Sequence, residues 1–300
     1  MSNFDDIFNT PAEAPAKQEN DKPYDKESWK EKKQLEREQA YTLIDTTAED
    51  ISEDGDEFKT YLDVQSRFDR YSVGNALLIM AQMPQATQLK DFDAWKENGV
   101  SIKKQQKGIT ILEPGEEYTR EDGSVGVSYN VKKVFDISQT TSKDKAKPVV
   151  NRDDRLLLKA LINNSPVAIK ISEELPDGVG ALYQSETNEI AVRKGMDAPD
   201  IFRCVSQELA HAQLAAQGEN YSRSEAGFKA YCASYMLCKK NGIDVSGYDF
   251  KNLPDNIREA DAQSIRSELS SVREAVNDIS ARMAKVLEVN KAPRQQGQER

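Results

Sequence analysis

Residues 204–212 read Cys204-Val205-Ser206-Gln207-Glu208-Leu209-Ala210-His211-Ala212, and this run decides how the second half of the chain is understood. On a helix, positions 207, 208 and 211 share nearly one face, because residues four apart are neighbours one turn on. A zinc peptidase places two His ligands at the outer positions of this spacing and uses the Glu after the first as general base towards a metal-bound water. Here Gln207 stands where the first His would be. A neutral amide is a poor zinc ligand, so the run predicts the helix of such a centre with one of its protein ligands missing.

Working outward, the run belongs to a helix over 199–217, followed by a second over 222–241 that Gly242 closes. Before it come a helix over 153–163, a strand over 167–171 and a hairpin over 180–192 turning at 186–188. Beyond Pro254, Ile265, Leu269, Val272, Val276, Ile279, Met283 and Val286 recur at alternating spacings of four and three. That is a 3.5-residue seam, expected on a long helix that packs back on its own domain, with dimerisation through 265–286 as the alternative.

Towards the N-terminus, residues 1–27 carry several prolines and few large apolar side chains, too little burial to offset chain entropy, and read as a disordered arm. A helical lead-in occupies 28–53. Tyr61, Val64, Phe68 and Tyr71 trace the apolar stripe of the next helix better than Phe58 and Leu62 do. Ser72 or Asn75 caps a helix that Pro84 stops, and Asp91 begins a short one that Gly99 ends. Ile102 to Leu112 and 125–137 read as strands, with Asp122-Gly123 as the turn of the excursion between them. The fold class is therefore α+β. Polar, basic residues 138–152 mark a boundary between two domains.

Composition limits the chemistry. The 300 residues hold 41 Lys+Arg against 51 Asp+Glu, a net charge of −10, and one His. A single His excludes the three-His and two-His zinc sites. Three cysteines, Cys204, Cys232 and Cys238, with no apolar signal region after Met1, point to a reduced, cytoplasmic compartment. No stretch approaches the roughly 20 apolar residues of a membrane span. The acidic balance opposes coating of DNA by the whole chain but leaves room for a local basic patch. Arg67, Arg70, Lys96, Lys103, Lys104 and Lys107 surround Phe68, Tyr71, Phe92 and Trp95, the mixture of cations and rings that single-strand binding needs. For Phe68 and Trp95 the plain alternative is a place in the core.

The chain from about Phe58 onward resembles ArdC-type antirestriction proteins of plasmids and conjugative elements. The resemblance rests on Phe68-Asp69-Arg70-Tyr71-Ser72-Val73-Gly74-Asn75-Ala76-Leu77-Leu78-Ile79, Pro84-Gln85-Ala86-Thr87, Phe92-Asp93-Ala94-Trp95 and Lys103-Lys104-Gln105-Gln106-Lys107-Gly108-Ile109. In the second half, Gln207 to Ala212 is similar to the family's HELAHA run, and Ala233 to Cys238 followed by Gly242-Ile243 to the helix that carries its third metal ligand. The resemblance implies a domain over 54–140 that binds single-stranded DNA, a linker over 141–152, a zincin-like metallopeptidase domain over 153–253, a long amphipathic helix over 254–290 and a disordered tail over 291–300. Among the DNA-contacting residues it and the charge pattern suggest are Arg67, Arg70, Tyr71, Asn75, Trp95, Lys103, Lys104 and Lys107.

The departures from the family pattern fall on the metal site. Gln207 and Tyr231 occupy two ligand positions, and Glu225 lies about 600° of helix from 231. This leaves His211 as a vestigial ligand and Glu208 as a vestigial general base. No cofactor is expected. The alternative is zinc held by Cys204, His211 and Cys232, making the chain an active metallohydrolase. The expected partners are single-stranded DNA and a host restriction or conjugation protein, with no membrane. The competing class is a protein-interaction module acting through the C-terminal helix.

Overall fold

The computed structural model describes residues 26–120, 122–143, 153–218 and 221–289. Three helices come first, α1 (Lys26–Glu53), α2 (Gly55–Arg67) and α3 (Val73–Gln82). A sheet region follows with β1 (Leu89–Asp91), α4 (Phe92–Glu97), β2 (Ile109–Thr119) and β3 (Val125–Asp136). Then come α5 (Asp154–Ile162), β4 (Ala168–Ser172), β5 (Ala181–Gln184), β6 (Glu189–Arg193), α6 (Ala198–Gln217), α7 (Arg223–Asn241), α8 (Asp255–Arg258) and α9 (Ala262–Val289). The α+β expectation holds. The expected arm lies outside the described residues apart from Lys26 and Glu27, which open α1, so the lead-in helix starts earlier than position 28. The tail over 291–300 and most of the linker, 144–152, also lie outside them.

Local chemistry sets the helix ends. Asp54, Ser72, Asp91, Asp153 and Asp197 each accept a backbone N–H of the first turn of α2, α3, α4, α5 and α6, which satisfies a donor with no intrahelical partner. Gly242 closes α7 at φ +76°, a left-handed position that favours glycine.

Both sheets are small. In the first, β3 lies between β1 and β2, antiparallel to each, and the β2–β3 hairpin carries a bulge between Pro114 and Glu117. In the second, β6 lies between β5, antiparallel, and β4, parallel. Thus β2 and β5 are both edge strands.

The buried side chains of both halves form one connected cluster. On α2, Phe58 and Leu62 are as buried as Tyr61 and Val64. The single-stripe expectation fails because α2 meets α3 on one side and α7 on another. Phe58 packs against Phe228 and Phe250, which with Tyr235 and Tyr248 make an aromatic knot between the halves. Gly55 permits the approach: a Cβ there would lie 1.9 Å from the Phe250 carbonyl oxygen. Asp63 accepts from the Tyr235 hydroxyl at 2.6 Å and from Lys239 at 3.0 Å, and Lys240 reaches Asp69. The seam of α9 is buried from Ile265 to Met283 against α1, α5, α6 and α7 of the same chain. No described helix is long and apolar enough to cross a membrane.

Candidate functional site

Glu208 and His211 lie on the buried face of α6, as their spacing requires. Glu208 is 3 % exposed. Its carboxylate accepts the Tyr183 N–H of β5 at 2.6 Å and both terminal nitrogens of Arg223, each at 2.8 Å. This fork geometry is the strong form of the carboxylate–guanidinium pair, and it holds the Arg223 guanidinium above its ordinary range. His211 Nδ1 shares a hydrogen bond with the Tyr221 hydroxyl at 2.9 Å. Burial first, and the Arg223 charge further on, push the imidazole down to about 4 against a pull from Glu208, so it is neutral at pH 7.

The other expected ligands are elsewhere. Tyr231 packs on Tyr248 and Phe250, and its hydroxyl accepts the Asp249 N–H at 2.7 Å. Gln207 is half-buried on α6. Cys204 rests on Gly180, where an added Cβ would come within 2.5 Å of its sulfur. Cys232 is fully buried on α7, its thiol pushed well up by desolvation, with Tyr61 close by. Cys204, His211 and Cys232 therefore do not converge, and the described residues contain no group of three His, Cys, Asp or Glu that could hold a metal.

A divalent cation fits this arrangement poorly. The Arg223 guanidinium already neutralises Glu208, and two positive charges on one carboxylate repel each other in a poorly solvated site. What the cluster does chemically is tie β5, α6 and the start of α7 together. Arg223 is a residue that sequence reading missed. Its signal was faint but physical, since a cation in the first turn of a helix opposes the helix dipole and calls for a carboxylate partner.

In the N-terminal half, several residues expected to contact DNA have partners within the chain. Asn75 is buried, its amide donating to the Leu112 carbonyl at 2.7 Å and accepting the Leu112 N–H at 2.7 Å. Gln82, two turns further along α3, does the same for Thr110 at 3.0 and 2.8 Å. The two amides stand in for a neighbouring strand along the exposed edge of β2. Trp95 is a core residue whose Nε1 donates to the Phe135 carbonyl at 2.8 Å. Arg67 is exposed, with its guanidinium held on the carbonyls of Pro84 and Ala86. Tyr71 is half-buried, edge-on to Phe68, and its carbonyl accepts from Gln65 and Arg273.

The exposed cations remain. Arg70, Lys104 and Lys107 face solvent, and Lys103 is exposed while donating to the Ser138 carbonyl. Lys107 and Lys133 line a cleft of about 490 Å³ together with Gln82 and Gln139. Asp136 below it is buried and accepts the N–H groups of Thr87, Gln88 and Ser138. Burial raises its carboxyl, yet these bonds outweigh it and hold the group below the ordinary range.

Two solved structures align with part of the chain. The metal-free crystal structure of the antirestriction ArdC protein from the R388 plasmid aligns with a TM-score of 0.47 at 16% identity, over 72% of this chain and 86% of that one. The Mn(II)-bound structure of that protein aligns with a TM-score of 0.48 at 18% identity, over 71% and 85%. No curated protein matches the chain. Residues 42–154, from α1 to the start of α5, match the family model described as the N-terminal domain of anti-restriction factor ArdC, and this part of the chain is an ArdC-type domain.

Proposed function

We propose that this chain is an accessory factor of a plasmid or other mobile element that binds single-stranded DNA through its ArdC-type domain, acts in the cytoplasm and counters host restriction by binding rather than by catalysis. The observation that carries the proposal is the lysine-lined cleft of Lys107 and Lys133, open beside the exposed 103–107 loop inside the matched domain. An exposed run of cations at such a cleft suits a phosphate backbone and carries no sequence preference. The zincin-like reading of α6 and α7 is a proposal of the same kind. Glu208 locked to Arg223, with Tyr231 spent in the aromatic knot, supports a scaffold descended from a metallopeptidase.

The test is anisotropy of a labelled oligonucleotide titrated with the full chain across a salt series, with zinc and manganese measured on the same preparation. Affinity should fall steeply with salt, and a Lys103/Lys104/Lys107→Ala variant should bind more weakly with a log–log salt slope shallower by about 2, near 0.7 per phosphate contact. Absence of binding at low salt, or about one metal ion per chain with hydrolytic activity, would overturn the proposal.

A further inference from the structure

A second cavity, of about 370 Å³, lies away from both the lysine cleft and the Glu208 cluster, where α1, α3, the β2–β3 hairpin and α9 meet. Its volume falls within the roughly 300–1,000 Å³ of small-ligand sites. Ile44 and Leu112 supply an apolar floor, Tyr41 and Tyr129 stand at its rim, and Gln263 and Arg266 of α9 close it. The rings are not core residues: Tyr41 is 38% exposed and Tyr129 40%. Tyr41 is near enough to Tyr129, Arg37, Tyr118 and Arg266 for each to influence its hydroxyl, although burial is the main force pushing that group up.

The charges at the rim are only partly spent. Arg266 donates its Nε to the Ala262 carbonyl at 3.2 Å, and a terminal nitrogen lies 3.2 Å from Asp45 without an aligned hydrogen bond. The Nε of Arg37 is buried with no partner among the described residues. The surface also continues in two directions. Tyr118, 50% exposed, lies over Gly126, where a Cβ would sit 2.7 Å from its ring. Lys133 shares the Tyr129 face of β3, about 13 Å along the strand. Tyr129 and Lys133 thus place a ring and a cation on one face of β3, running from the cavity to the lysine cleft, which suits a polymer better than an isolated small molecule.

We propose that this cavity holds one nucleotide of a single strand, its base against Tyr129 and Tyr41 and its phosphate at Arg266, with the strand running over β3 towards Lys133 and Lys107. The proposal rests on the DNA-binding reading above and assigns it a base-stacking pocket that the lysine loop lacks. Stacking is tolerant of base identity, so preference here would follow ring stacking strength rather than sequence.

The test uses the full chain and labelled oligo(dT), comparing Tyr129→Ala, Tyr129→Phe, Tyr41→Ala and Arg266→Gln with the wild type. Unfolding midpoints are checked for each variant. Tyr129→Ala and Tyr41→Ala should weaken binding roughly five- to hundredfold, the span of one lost stack, while Tyr129→Phe, which keeps the ring, stays within about twofold. Arg266→Gln should flatten the salt slope by about 0.7. Photocrosslinking of 5-iodouracil in the oligonucleotide should mark Tyr129 or Tyr41. Wild-type binding that survives both alanine variants unchanged, with crosslinks confined to the 103–107 loop, would overturn the pocket and leave the DNA-binding reading intact. No wild-type binding would overturn both.

Discussion

In the first sheet the amides of Asn75 and Gln82 on α3 complete the bonding of edge strand β2, whereas in the second a carboxylate, Glu208 on α6, meets edge strand β5 at the Tyr183 N–H. Both are helix-to-strand clamps on a sheet edge, made of different chemistry. An amide donates and accepts, so one side chain satisfies both backbone groups of its residue. A carboxylate only accepts, and burying its charge demands a cation from elsewhere, which α7 provides as Arg223. The neutral clamp is complete with two elements. The charged one requires three, and so couples β5 to the start of α7 in a way the amide pair does not couple anything to α9.

Removing the neutral clamp should have the larger effect. Asn75→Ala leaves the N–H and carbonyl of Leu112 without partners at about 1–3 kcal/mol for each unsatisfied group, towards the lower end because both residues line the cavity of about 370 Å³. A loss of about 3 kcal/mol in urea unfolding is expected, independent of salt. Asn75→Asp should be almost as damaging, because its ionised form cannot donate to the Leu112 carbonyl. If Asn75→Ala unfolds within 0.5 kcal/mol of wild type, as a typical surface substitution does, the clamp is not what holds the β2 edge.

Arg223→Met tests the charged clamp. It strands a buried carboxylate, which in a dry site costs about 3–5 kcal/mol. Arg223 is itself 41% exposed, so water can reach the gap and the expected loss is nearer 2 kcal/mol. Adding Glu208→Gln to Arg223→Met should restore part of that loss, and the double-mutant cycle reads the coupling directly. Additive single-variant losses would mean the fork contributes nothing of its own.

The two clamps were unequally legible in the sequence. The cap residues, the Asp122-Gly123 turn, the α9 seam and the α6 face carrying Glu208 and His211 are local patterns, fixed by neighbours within a turn or two, and the fold follows them. Asn75 looked like an N-cap or a DNA contact because its partner lies 37 residues away on β2. Arg223 meets Glu208 across a loop, 15 residues on. Tyr41 and Tyr129 belong to α1 and β3, whose adjacency no period announces. Trp95 shows the same limit in reverse, since a ring near lysines reads as a candidate DNA contact as well as a core residue until its burial is known. Pairings between distant elements leave little periodic trace, and the candidate surface is made of them.

The smallest effect separates the clamps by pH. His211 is the only His of the chain, so no other imidazole contributes. The unfolded chain takes up its proton near the ordinary value of 6.5, while the folded one, with the ring buried beside Arg223, takes it up only near 4. Between those values the unfolded state binds more protons, so stability falls as pH is lowered through that window, by about 2 kcal/mol from pH 7.5 to 5. Above 6.5 and below 4 this group contributes no slope. Asp136 has the other sign of origin, a carboxylate held low by backbone donors, and its contribution is lost only as pH falls below the ordinary carboxylate range. Urea unfolding of wild type and His211→Gln at pH 7.5, 6 and 5 distinguishes them. The variant should lose the slope across this window whatever its absolute stability, and Asn75→Ala should keep it. A wild-type slope that survives in His211→Gln would place the acid sensitivity in the carboxylates rather than in the buried imidazole of the charged clamp.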